Sequence, residues 1–134
     1  MPSDLLFQTF LEIRIGDINY GGHLGNDAIL SLAHEARLQF LKSHAYSEKN
    51  VEGLGLIMSD AAIVYKSEAF HGDQLKVAVA VDDISDIGFD IYYKFTNTKD
   101  GKEVAHVKTG MVFYNYDLRK IESTPEAFYN KITP

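Results

Sequence analysis

The chain has 134 residues with a formal net charge of −6, and 46% of it is hydrophobic, 24% charged and 12% aromatic, a globular composition that suits a single domain over residues 1–134. It contains no cysteine, which excludes disulfides, thiolate zinc sites, iron–sulfur ligation and a cysteine nucleophile. Its 13 Lys and Arg are outnumbered by 19 Asp and Glu and scattered along the sequence, so no footprint for nucleic acid or an anionic membrane is present. No apolar run approaches the roughly 20 residues of a membrane span, and the opening Met1-Pro2-Ser3-Asp4 lacks a cationic leader segment; a cytoplasmic protein is expected.

Taken in chain order, Phe7, Thr9, Leu11, Ile13 and Ile15 alternate with Gln8, Glu12 and Arg14, which predicts a strand over 7–15 with one buried face. From Asp27 the period changes. Ile29, Leu32, Ala33, Ala36 and Phe40 follow helical spacing, with Asn26 or Asp27 as N-cap and Lys42 in the last turn. Leu30, Leu38 and Leu41 widen the apolar sector, so this helix should be embraced by a curved sheet or partly covered by another subunit.

The stretch from Ser43 to Gly55 reads as a loop, and strands follow at Ala61–Tyr65, Leu75–Asp82, Phe89–Thr96 and Glu103–Tyr116, with a hairpin at Asn97–Gly101. Gly110 marks a bend or bulge in the last long strand, and Pro125–Tyr129 a terminal helical turn. One long helix and about five antiparallel strands make an α+β layer protein. A doubly wound parallel sheet is disfavoured, because the later strands have no helices between them.

The most informative stretch runs from Gly16 to Asp27. Gly16, Gly21, Gly22 and Gly25 give the backbone freedom for tight turns and close ligand approach, while Asp17, Asn19, His23, Asn26 and Asp27 gather polar groups before a helix start. A glycine-rich turn with an Asx cap accounts for the same residues, with Asp17 bonding local amides and His23 in a structural role.

The order Asp17-Ile18-Asn19, Gly22-His23-Leu24-Gly25-Asn26, Glu35-Ala36-Arg37 resembles the hotdog-fold thioesterases, a group that includes hydroxybenzoyl-CoA and acyl-carrier-protein thioesterases. His71-Gly72-Asp73 is similar to the Gly-Asp turn before a strand in that family, and Gly25 departs from it where the first asparagine of an Asn-Asn pair is usual. The resemblance implies a hotdog fold, an antiparallel sheet wrapped around one central helix, and a homodimer or tetramer with sites shared between subunits. It also implies hydrolysis of an acyl-CoA or acyl-carrier-protein thioester without cofactor or metal. Asp17 would be the catalytic carboxylate, as base or nucleophile, and backbone amides at Leu24, Gly25 and Asn26 would receive the thioester oxygen.

His23 and Asn26 are further candidates, for orienting water or substrate, and Glu35 is a catalytic acid or a partner of Arg37, a neighbouring strand or another subunit. His34, His44, His71 and His106 lack metal-ligand spacing. Lys66, Lys76 and Lys108 are either nucleotide-phosphate contacts or solvated strand positions, and Tyr92, Tyr93, Tyr114 and Tyr116 fit sheet packing or an acyl pocket equally. No G-x-S-x-G elbow exists, which excludes a serine thioesterase of the α/β-hydrolase type. Gly16-Asp17-Ile18-Asn19 also resembles the pattern of hotdog enoyl hydratases, although Tyr20 stands where they have proline and His23 falls one residue late. A non-catalytic acyl-thioester binding subunit is the third reading.

Overall fold

The computed structural model describes residues 6–133, so the leader reading of the first residues lies outside it. The first strand, β1, spans Phe7–Glu12 and stops earlier than its alternation predicts. Ile13 is fully buried, but Ile15 is 74% exposed rather than inward. The cause is local: the Arg14 amide donates to Asp17 Oδ2 at 2.9 Å and the Asp17 amide to the Arg14 carbonyl at 2.9 Å, which folds Ile15–Asp17 into a 3-10 turn and ends the period of two.

Helix α1 covers Asn26–Ser43. Its N-cap is Gly25, not Asn26 or Asp27: the Gly25 carbonyl accepts the Ala28 amide at 3.2 Å, and a Cβ at position 25 would lie 2.9 Å from Asp27 Oδ1. The predicted stripe of Ile29, Leu32, Ala33, Ala36 and Phe40 is buried against the sheet, with α1 lying across β1, β3 (Gln74–Asp82) and β5 (Glu103–Asn115).

The sheet is antiparallel in the order β1-β3-β4-β5-β2, where β4 is Gly88–Asn97 and β2 is Gly55–Tyr65, and a two-residue β6 (Lys120–Ile121) adds to the end of β5. The strand count is thus six. β2 begins six residues before the predicted Ala61, because its pairing with β5 slips between Met58 and Asp60, and the bulge hides the alternation. The bulge expected near Gly110 therefore lies on the facing strand, and Gly110 pairs with both Asp60 and Asp90. At Gly88 a Cβ would stand 2.0 Å from the Met111 carbonyl oxygen, so only glycine permits β4 and β5 to meet there.

Val77, Val79, Ile91, Tyr93, Phe95, Val107 and Phe113 form the inner sheet face beneath α1. The short helix α2 (Glu126–Ile132) closes one end of this core, its Phe128 ring 4.7 Å from that of Phe89 and 5.2 Å from that of Phe113. Arg37 is inward and 5% exposed, donating to Glu48 Oε2 at 3.0 Å and to the Tyr93 hydroxyl at 3.1 Å; that hydroxyl lies 2.8 Å from Thr109 Oγ1. Among the described residues, no helix is long and apolar enough to cross a membrane.

Candidate active site

The segment between β1 and α1 folds into a small hairpin. Ile18 and Leu24 form an antiparallel bridge, the Asn19 amide donates to the His23 carbonyl at 3.0 Å, and the tip turns through Gly22 at φ +87°. Asn19 Oδ1 accepts the Gly21 amide at 2.9 Å, which stabilises the tip. The Gly25 amide then donates to the Asp17 carbonyl at 2.9 Å, so the hairpin is locked to the 3-10 turn behind it just as α1 begins.

This construction separates residues that are contiguous in sequence. Asp17, only 8% exposed, opens with Glu35 onto a cleft of about 460 Å³ on the β1 side, which Arg14 and Ser31 also line. His23 and Asn26 open instead, with Leu24, onto a cleft of about 250 Å³ at the start of α1, bordered by Tyr65, Lys66 and Glu68. Glu35 does not meet Arg37; it accepts a hydrogen bond from Gln39 Nε2 at 2.7 Å, one helical turn on, while Arg37 points to the opposite side of α1.

The backbone amides divide in the same way. The Leu24 amide donates to the Ala69 carbonyl at 2.7 Å and the Gly25 amide to that of Asp17, so neither is available to a thioester oxygen. That expectation narrows to Asn26, the first residue of α1, whose amide has no protein acceptor among the described residues. It points out of the positive end of an 18-residue helix, which favours an oxygen carrying negative charge. His23 is half-buried, its Nδ1 3.4 Å from the Leu24 carbonyl oxygen, and has no carboxylate partner among the described residues.

The remaining candidates take structural positions. His34 Nε2 lies 2.7 Å from Glu48 Oε1, and His106 Nε2 3.0 Å from Glu103 Oε2. His44 packs edge-on against Phe40, and burial together with the nearby Lys131 charge holds its imidazole below the ordinary histidine range. Lys108 pairs with Asp60 at 3.3 Å, and Lys66 borders the helix-start cleft. Tyr114 and Tyr116 meet edge to face, and Tyr92 donates to Asp83, a hydrogen bond that together with burial and the Asp83 charge pushes the phenol up to about 12. Among the described residues no three His, Asp or Glu side chains gather as a metal would require. Tyr65 and Glu68 escape sequence reasoning because only long-range bonds, 39 residues apart in the case of Tyr65 and Asn26, bring them to the helix start.

The six-stranded antiparallel sheet carrying one long helix is the hotdog architecture. Residues 13–132 match the model of the thioesterase-like superfamily, and the chain belongs to that family. No curated protein sequence matches it. Among solved structures, it is similar to Slr0204, a 1,4-dihydroxy-2-naphthoyl-CoA thioesterase from Synechocystis, at 22% identity over 94% of each chain with a TM-score of 0.84. The BH1999 gentisyl-coenzyme A thioesterase gives 15% identity over 95% of this chain and 100% of the other, TM-score 0.83. SAV2348 from Staphylococcus aureus, solved in complex with CoA, gives 21% identity over 98% and 84%, TM-score 0.85.

Proposed function

We propose that this protein hydrolyses an acyl thioester at the start of α1, releasing a free acid and a thiol. The observation that carries this reading is the unpartnered Asn26 amide, at the end of a long helix and on the edge of a cleft of about 250 Å³. A thioester oxygen seated there gains negative charge as the carbonyl carbon becomes tetrahedral, and an amide already aimed at it needs no reorganisation. Membership of the thioesterase-like superfamily supports the same chemistry, and the similarity to proteins acting on or holding CoA favours a CoA thioester over a carrier-protein one. The attacking water or carbonyl also needs a negatively charged oxygen. Asp17, buried beside a cleft and fixed to the loop that leads into α1, is the carboxylate assigned to that part.

The working unit is a homodimer. β2 is an eleven-residue edge strand with no strand on its outer side among the described residues, and it leaves Met58, Val64 and Tyr65 about half exposed. A long apolar edge of this kind calls for a covering partner, and a second copy laid along it would also stand beside the helix-start cleft. Sedimentation should find a dimer, and a monodisperse monomer would refute the shared site.

The deciding experiment removes the Asn26 amide hydrogen, with Asn26→Ala, which should stay within about 10-fold of wild type, as the control for the side chain lost at the same time. Proline is favoured at the first position of a helix, and Gly25, at φ −74° and ψ 152°, already has the extended conformation that a following proline requires. Asn26→Pro should therefore keep α1 while deleting the donor, lowering kcat on acyl-CoA esters roughly 100- to 1000-fold. Thiol release can be followed directly, since the cysteine-free chain contributes no background. Full activity in a folded Asn26→Pro variant would overturn the assignment.

A further inference from the structure

The first amides of an α-helix have no intrahelical acceptor, and one that meets a developing negative charge does so best when it is held in place before the charge appears. At the start of α1 two local bonds fix the residue before Asn26. The Gly25 amide donates to the Asp17 carbonyl at 2.9 Å, and the Gly25 carbonyl accepts the Ala28 amide at 3.2 Å. Asn26 itself is held from elsewhere in the fold: the Tyr65 hydroxyl, on the last residue of β2, donates to the Asn26 carbonyl at 2.9 Å across 39 residues of sequence.

That phenol is presented by the sheet. Directly after Tyr65 the Lys66 amide donates to the Val104 carbonyl on β5 at 2.9 Å, so the end of β2 is anchored where the hydroxyl leaves it. The ring is about half exposed, and its packing alone does not tie it to α1; the hydroxyl makes the connection. Tyr65 also borders, with Asn26, the cleft of about 250 Å³ assigned to the thioester. Because each peptide unit is planar, only φ and ψ of residue 26 separate its carbonyl from its amide. A bond that fixes the carbonyl therefore limits how far the unpartnered amide can swing.

We propose that Tyr65 is a positioning residue for the hydrolysis: by holding the Asn26 carbonyl, its hydroxyl keeps the Asn26 amide aimed at the thioester oxygen. The phenol touches neither the attacking water nor the carbonyl carbon, and no proton passes through it. Misplacement of a reacting group by about 1 Å can cost on the order of 100-fold in rate, and one hydrogen bond accounts for about a tenfold share of such a loss. The inference rests on thioester hydrolysis with the Asn26 amide as donor, and not on the part Asp17 plays in it.

The test is a double-mutant cycle of wild type, Tyr65→Phe, Asn26→Pro and the double variant on a panel of aliphatic and aromatic acyl-CoA esters, with melting curves for all four. Tyr65→Phe keeps the ring and deletes the hydroxyl. It should lower kcat about 10-fold, with KM within about 3-fold of wild type and a fall in melting temperature of no more than about 4 °C. In the Asn26→Pro background there is no amide hydrogen left to aim, so the double variant should be as slow as Asn26→Pro alone. Wild-type kcat in Tyr65→Phe, or the same about 10-fold loss on top of Asn26→Pro, would overturn the positioning role and leave hydrolysis at the start of α1 standing. Full activity in folded Asn26→Pro would bring down both.

Discussion

The two ends of α1 are built on opposite principles. At its C-terminal end nearly every polar group is matched: Arg37 bridges Glu48 and Tyr93, Tyr93 meets Thr109, Lys131 lies 4.4 Å over the Tyr46 ring, and Phe128 of α2 seals the aromatic core. At its N-terminal end the Asn26 amide and the Glu68 carboxylate are left open to a cleft. Both groups are solvent-exposed, so leaving them open costs little, whereas His44 Nε2, at the C-terminal end, is buried without a partner among the described residues; the ends differ in what they offer a ligand, open donors and acceptors at one and a packed core at the other.

Substitutions at each end should disturb one property and spare the other. The largest effect is expected from Phe128→Ala, which empties a fully buried ring site and should cost about 3–5 kcal/mol of unfolding free energy, read by denaturant titration. The surviving folded fraction should turn over substrate at an unchanged rate. If that fraction lost activity in proportion to stability, the two ends would not be separable. Next comes Asp17→Asn, predicted to lower kcat at least about 100-fold, or about 2.7 kcal/mol of barrier, while the melting temperature stays close to wild type. A large drop in melting temperature with turnover intact would make Asp17 a purely structural residue.

The smallest effect concerns pH. Burial pushes the Glu48 carboxyl up, but hydrogen bonds from His34 and Arg37 outweigh it and hold the group below its ordinary 4.5. A carboxyl depressed in the folded state adds stability that is fully present above its unfolded value and lost as pH falls through the folded one. The melting temperature should therefore decline as pH drops below 4.5, and Glu48→Gln should flatten that decline by about 2–4 °C. An unchanged slope in Glu48→Gln would show that the network does not feel the charge.

The same contrast explains what the sequence reveals. The helix stripe and the alternation of β3, β4 and β5 are legible because each is a local period imposed by one buried face. β2 is hidden by its bulge, and β1 is cut short because one side chain, Asp17, captures a backbone amide three residues back. At the site, the motif locates the right loop but not its geometry. A bridge between Ile18 and Leu24 sends Asp17 to one side of α1 and His23 with Asn26 to the other, although they lie within ten residues of each other. The glycine chosen as an unusual departure, Gly25, proves to be the N-cap itself. Arg37 carries no sign of its burial, since its partners Glu48 and Tyr93, and Thr109 behind Tyr93, come from three separate segments.

The ties from Tyr65 to Asn26 and from Leu24 to Ala69 reach across about forty residues of chain, so the cleft cannot assemble until β2 has been delivered to the sheet beside α1. Pairings of that sequence separation are slow to close. In a refolding time course, helical circular dichroism should recover first and enzymatic turnover last, which makes thiol release a stopwatch for the final step of tertiary assembly.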